Sequence, residues 1–147
     1  MTALNTEFAD ADDSTGLALW RVTNRWQAAQ RAALQPFDLT HVQFVLLASL
    51  TWLDGQAPTQ SKLAAHAGTD PMMTSQVLRA LEAKALVERQ PHPTDGRARL
   101  LAATAKGKAL ANRAVVAVEA CDKQFFGPLV DRAGFTTELG RLAGHLD

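Results

Sequence analysis

Arg97 and Arg99 stand two positions apart in the string Pro91-His92-Pro93-Thr94-Asp95-Gly96-Arg97-Ala98-Arg99. Read as the tip of a hairpin spanning Leu86 to Thr104, the Asp95-Gly96 pair supplies a tight reversal and the two prolines stiffen the approach. Strand spacing then sets both guanidinium groups on one face. Such a tip suits a DNA minor groove, whose narrow A/T-rich stretches concentrate negative potential. A solvated loop carrying two incidental arginines is the competing reading. Lys106, just beyond, fits either a phosphate contact or plain solvation.

A second set lies immediately upstream, on a helix predicted from Asp70 to Ala85. Met73, Val77, Leu78 and Leu81 are placed on its inward side, and Met72, Ser75, Gln76 and Arg79 on its outward side. Gln pairs with adenine and Arg with guanine in bidentate fashion, Ser reaches several bases or a phosphate, and Met touches a thymine methyl. Polar outward residues are ordinary on any helix, so the set gains meaning only beside the basic hairpin. Thr59 and Gln60, at the start of the preceding helix, complete the candidate DNA face together with Asp95, Arg97 and Arg99.

Enzyme chemistry finds little support. The four histidines, His41, His66, His92 and His145, are far apart and show no paired metal spacing. There is no Gly-rich phosphate loop and no nucleophile motif. Cys121 is the single cysteine, which excludes an intramolecular disulfide and a multi-thiolate metal site within one chain. The sequence therefore predicts no catalytic residues, no metal and no cofactor.

The chain of 147 residues, 47% of them hydrophobic, supports one compact domain or one domain with dimerising extensions. Its net charge of zero conceals an asymmetry. Residues 60–108 hold eight Lys/Arg against four Asp/Glu, a net of +4, while residues 1–59 carry −3 and residues 109–147 carry −1. A basic middle between mildly acidic ends points to a polyanion met by the middle alone. No apolar run approaches the roughly 20 residues of a bilayer span, and no leader pattern opens the chain, so a cytoplasmic protein without a membrane partner is expected.

The elements that would position these residues are mostly helical. Residues 1 to about 13 read as a mobile arm. Leu19, Val22, Trp26, Ala29 and Ala33 form an apolar stripe on a helix from Gly16 to about Leu34, ended by Pro36. Thr40 and Gln43 read as a capping box, with Leu39 stapled to Phe44, on a helix running to about Leu53. Thr59 caps a short helix closed by Gly68, and Asp70-Pro71 opens the next. After the hairpin, a long helix from Thr104 carries Leu110, Ala114, Ala117, Val118, Cys121 and Phe125 to Gly127-Pro128. A last helix carries Phe135, Leu139, Leu142 and Leu146. The predicted fold is mainly α with a small β-wing: a winged helix-turn-helix over 39–104, between an N-terminal arm and helix over 1–38 and C-terminal helices over 105–147. The terminal stripes exceed what so small a module needs and read as a dimerisation layer.

Four strings in order, Leu39-Thr40-x-x-Gln43-Phe44, Thr59-Gln60-Ser61-x-Leu63-Ala64, Leu81-Glu82-x-Lys84-x-Leu86-Val87 and Asp95-x-Arg97, make the chain resemble the MarR family of bacterial transcriptional regulators. The resemblance covers nearly the whole chain. It implies a homodimer that binds double-stranded DNA at a pseudo-palindromic operator, usually as a repressor, and loses affinity when a small molecule or oxidant acts on it. It also implies that Asp95 holds Arg97 extended toward the minor groove.

Two positions depart from the family pattern. Ala85 stands where glycine usually takes a left-handed conformation, so either Ala85 tolerates that strain or the helix ends differently. Lys62 replaces a glutamate that often completes a capping box, leaving Thr59 to cap alone.

For an effector, the resemblance points to the junction between the dimer layer and the winged domain. Trp20, Arg21, Trp26, His41, Phe44 and Trp52 are the candidate lining for a small aromatic carboxylate or phenol. The competing readings are core packing for the tryptophans, a surface helix start for His41 and an ion pair for Arg21. Cys121 lies on an apolar stripe near Glu119 and Asp122, which predicts an inert buried thiol rather than an oxidant sensor. A redox-responsive regulator through Cys121, and a winged helix used for protein contact without ligand sensing, are the alternatives.

Overall fold

The structure, a computed structural model, describes residues 3–144. Six helices and one hairpin follow in order: α1 (Thr15–Leu34), α2 (His41–Trp52), α3 (Gln60–Ala67), α4 (Pro71–Ala83), β1 (Val87–Pro91), β2 (Arg99–Ala103), α5 (Ala105–Phe125) and α6 (Arg132–Leu142). None of these helices is long and apolar enough to cross a membrane.

Local chemistry sets the starts. The Thr40 hydroxyl accepts from the Gln43 N–H and the Gln43 side chain accepts from the Thr40 N–H, each at 3.2 Å, closing the expected capping box. Leu39 and Phe44 are both buried in the same core. Thr59 caps α3 through the Lys62 N–H without a reciprocal bond, and Asp70 caps α4 through the Met73 N–H at 2.8 Å. Gly68 supplies the left-handed turn after α3.

The helix α4 ends two residues before the expected Ala85, and Ala85 takes the left-handed conformation at φ 60°. The Leu86 N–H reaches the Leu81 carbonyl at 3.0 Å and the Ala85 N–H reaches the Glu82 carbonyl at 2.9 Å, a complete Schellman closure around a non-glycine residue. Thr104 reinforces it by donating its hydroxyl to the Ala85 carbonyl at 2.7 Å and its N–H to the Leu86 carbonyl at 3.0 Å.

β1 and β2 pair antiparallel from Val87↔Ala103 to Pro91↔Arg99. On the other side of β2 the Leu101 N–H bonds the Pro58 carbonyl at 2.9 Å, tying the wing to the segment before α3. The core lies between α2, α3, α4, the wing and α5, built on Leu46, Leu47, Leu50, Leu63, Leu78, Leu81, Leu86 and Leu101. α5 enters it through Gly107, Ala111, Ala114 and Val118. A Cβ on Gly107 would overlap the Leu86 carbonyl oxygen and crowd Leu47 Cδ1 at 3.1 Å, so only glycine fits there.

Much of the apolar stripe on the terminal helices is open on the single chain. The buried residues of α1 are Gln30 and Leu34, while Leu19 and Val22 remain exposed. α6 buries no residue and leaves Leu139 and Leu142 open. Leu146 and His145 lie outside the described residues.

Candidate nucleic-acid interface

The outer face of α4 starts from its cap. With Pro71 at the first helical position, residues 74, 78 and 81 fall inward at steps of four and three, and Thr74, Leu78 and Leu81 are all buried. Met72, Gln76 and Arg79 point outward and are exposed, as expected; Ser75 is only half-buried, on the flank. Met73, expected on the inward side, is 44% exposed. Thr74 takes its position because its hydroxyl is satisfied internally, donating to the Asp70 carbonyl at 2.7 Å and pairing with the Thr69 hydroxyl at 2.7 Å. The outer face thus carries two methionines beside Gln76 and Arg79.

Thr59 and Gln60 are half-buried at the head of α3. The Gln60 side-chain Oε1 accepts from both Arg89 terminal nitrogens at 3.4 Å, and Arg89 Nε donates to Glu82 at 2.7 Å. This Gln60–Arg89–Glu82 network, which joins α3, β1 and α4, is not among the sequence expectations. Its signal was the Glu82 and Arg89 pair of opposite charge seven residues apart.

The wing tip departs from the two-residue reversal. The ladder stops at Pro91↔Arg99: the His92 N–H still reaches the Ala98 carbonyl at 3.4 Å, but the Ala98 N–H turns to the Asp95 carbonyl at 3.3 Å, leaving residues 92–98 as the tip. Gly96 does not take the positive φ that the expected tight turn requires. Arg97 sits in the tip and Arg99 on β2, so they do not share a strand face. Asp95 Oδ1 accepts from the Arg97 backbone N–H at 3.0 Å; its carboxylate shapes the chain under Arg97 rather than holding the guanidinium. The Arg97 side chain is exposed. Lys106 Nζ donates to the Lys84 carbonyl at 3.0 Å, capping the end of α4.

At the junction of α1, α2 and α5 the six candidate effector residues do not converge. Trp26 and His41 meet edge to face, 4.9 Å between ring centroids. Phe44 is buried in the core. Trp20 is 68% exposed, six residues and about 240° around the helix from Trp26. Arg21 pairs with Asp12 at 2.7 Å, as its competing reading had it. Trp52 is 85% exposed at the far end of α2, about 16 Å along the axis from His41.

Sequence reasoning missed Gln30 and Asp122. Asp122 Oδ1 accepts from Trp26 Nε1 at 2.9 Å and from Gln30 Nε2 at 2.7 Å. A polar Gln30 on the seam that faces α5, with Asp122 opposite, was the available signal. Burial lowers the His41 pKa, Asp122 opposes that shift and Arg31 reinforces it. Burial, then Asp122, raises the Cys121 thiol, which is half-buried rather than fully buried.

Two clefts flank this junction. An apolar one of about 230 Å³ is lined by Leu19, Val22, Trp26, Phe126, Phe135 and Leu139 among others. A second of about 460 Å³ is lined by Arg31, Gln35, Asp38, Leu39, Gln43 and Lys84 among others. Among the described residues no group of three or more His, Cys, Asp or Glu side chains is placed to hold a metal.

The MarR family model matches residues 39–98. The HTH-type transcriptional regulator YdcH of Bacillus subtilis (strain 168) is 39% identical over 143 residues, covering 96% of this chain and 97% of its own. CouR of Rhodococcus jostii RHA1 bound to p-coumaroyl-CoA superposes with a TM-score of 0.82 at 28% identity, covering 92% of this chain and 96% of its own. The transcriptional repressor CouR bound to a 23-mer DNA duplex gives 0.78 at 27% identity, with 95% and 96% covered. A mainly helical chain with a two-stranded wing, so matched along its length, belongs to the MarR family of transcriptional regulators.

Proposed function

We propose that this protein is a repressor that binds a pseudo-palindromic DNA operator as a homodimer in the cytoplasm and releases it when a small aromatic or phenolic effector binds. The observation that carries the DNA reading is the joining of two exposed sets on one rigid module. Met72, Gln76 and Arg79 project from α4, and Arg97 projects from a wing whose base is clasped to the end of that helix through Thr104. Gln76 and Arg79 read base edges in the major groove, with Ser75 and Met72 beside them. Arg97 enters the adjacent minor groove over a turn shaped by Asp95, and Arg99, Thr59 and Gln60 meet the backbone. The likeness to CouR, a repressor seen bound to a DNA duplex, supports the same assignment.

The units of this reading are residues 39–104 for DNA and residues 1–38 and 105–147 for the dimer. Leu19, Val22, Leu139 and Leu142, exposed on a single chain, supply apolar surface for a partner copy. Effector entry is assigned to the Trp26–His41 edge of the junction, next to the apolar cleft; the likeness to a protein bound to p-coumaroyl-CoA supports that ligand class.

The test starts from a duplex selected by the wild-type protein out of a random pool. Arg79→Ala or Gln76→Ala should cost about 1–3 kcal/mol and relax preference at one position per half-site. Arg97→Ala should weaken binding broadly and flatten its salt dependence. Unchanged affinity and salt slope in Arg97→Ala would remove the wing from the interface. A selected duplex without inverted symmetry, or a monomer by light scattering, would count against the dimer. With Trp20→Phe and Trp52→Phe in place, quenching of the remaining Trp26 fluorescence by aromatic acids or phenols without release of the duplex would make the junction a bystander.

A further inference from the structure

The wing tip has an internal brace that lies outside the family strings. The His92 imidazole is half-buried, and its Nδ1 accepts from the Thr94 N–H at 3.1 Å and from the Asp95 N–H at 3.0 Å. The Thr94 hydroxyl stands 3.4 Å from the same nitrogen. Two N–H donors converging on one ring nitrogen require that nitrogen to carry a lone pair, so the proton of the neutral ring sits on Nε2. The bracing then continues along the chain. Asp95, fixed by its own N–H, uses Oδ1 to accept from the Arg97 N–H at 3.0 Å and its carbonyl to accept from the Ala98 N–H at 3.3 Å. His92 N–H closes the base of the tip on the Ala98 carbonyl at 3.4 Å. Pro93 holds His92 extended.

We propose that His92 is a positioning residue for DNA binding: its imidazole Nδ1 organises the Thr94–Asp95 turn, and through Asp95 it sets the backbone from which Arg97 projects. The proposal rests on the reading that Arg97 contacts DNA. Among the described residues no other side-chain acceptor serves the Thr94 and Asp95 amides. Without Nδ1 those amides pass to solvent, residues 92–98 lose their common anchor, and the tip must be ordered at the moment of binding, which lowers affinity without removing any charge.

The test uses the full-length chain with the selected duplex, comparing His92→Leu, which has no acceptor, with His92→Asn, whose side-chain oxygen lies near the position of Nδ1. In the free protein, His92→Leu should speed solvent exchange of the Thr94, Asp95 and Arg97 amides by NMR and leave α4 amides unchanged. It should weaken the duplex about three- to tenfold with the salt slope retained. His92→Asn should restore both readouts. In an Arg97→Ala background, His92→Leu should cost nothing further. Unchanged exchange at Thr94 and Asp95, failure of Asn to restore affinity, or full additivity with Arg97→Ala would each overturn the proposal. If Arg97→Ala alone binds like wild type, the groove contact falls instead, and the exchange rates still decide whether the imidazole holds the tip.

Discussion

Gln30 and Asp122 share a hydrogen bond of 2.7 Å across the seam between α1 and α5, and the same carboxylate oxygen takes the Trp26 indole N–H at 2.9 Å. Trp26 and Gln30 are one helical turn apart, so a single oxygen fixes both the rotation and the height of α1 against α5. Gln30 is fully buried, and its side-chain oxygen has no partner among the described residues.

Removing that acceptor is costly because two donors are left behind. Asp122→Ala should destabilise the protein by about 2–3 kcal/mol, and Asp122→Asn, which still offers an oxygen, by less. Urea midpoints compared at one fixed protein concentration check this. Equal midpoints for wild type and Asp122→Ala would show that the seam does not depend on the bond.

His41 makes stability depend on pH. Burial favours its neutral form, so its folded pKa lies below the usual 6.5. Between 6.5 and that lower value the unfolded chain binds the proton more readily. The contribution is therefore complete above about pH 6.5 and is lost as pH falls through the folded pKa. Thermal melts of wild type and His41→Gln should diverge on that acid side, the wild type falling more steeply, and should run parallel above neutrality.

Cys121 should alkylate slowly. Burial and the neighbouring Asp122 both disfavour its thiolate, the reactive species. Iodoacetamide at neutral pH should modify the folded protein more slowly than free cysteine, and Asp122→Asn should react faster than wild type. Peroxide that released DNA from wild type but not from Cys121→Ser would move sensing to this thiol.

Ala85→Gly should be stabilising. The left-handed backbone costs alanine roughly 1–2 kcal/mol, part of which is offset by the greater freedom of glycine in the unfolded chain. A net gain of about 0.5–1 kcal/mol is expected from chemical denaturation, with DNA affinity unchanged. A loss of stability would mean that the alanine methyl makes a compensating contact.

What could be read from the sequence follows how locally each feature is decided. The Thr40–Gln43 box, the Asp70-Pro71 start and the Thr59 cap depend on neighbours within one turn, and each sits where it was expected. Hydrophobicity favours Met73 inside; the inward position is taken by Thr74, whose hydroxyl, bonded to its own helix carbonyl and to Thr69, can be buried as well. The Asp95-Gly96 reversal failed because the tip makes its own bonds: the Ala98 N–H turns to the Asp95 carbonyl at 3.3 Å, so the ladder does not reach a two-residue turn. Side-chain type marks the effector candidates, but their convergence depends on helix phase and on which seam α1 presents to α5. Trp26 and His41 met those conditions; Trp20 and Trp52 did not.

The missing side chain at Gly107 bears on leverage. With Gly107 seated under the Leu86 carbonyl and Thr104 clasping both Ala85 and Leu86, the first turn of α5 travels with the wing. The 21 residues of α5 then act as an arm about 30 Å long. A tilt of about 10° at its far end, where Asp122 grips α1, sweeps the wing through about 5 Å, close to the roughly 6 Å width of the minor groove proposed for Arg97. On the proposed docking, a small disturbance at the Trp26–Asp122 end is large enough to carry Arg97 out of its groove at the other.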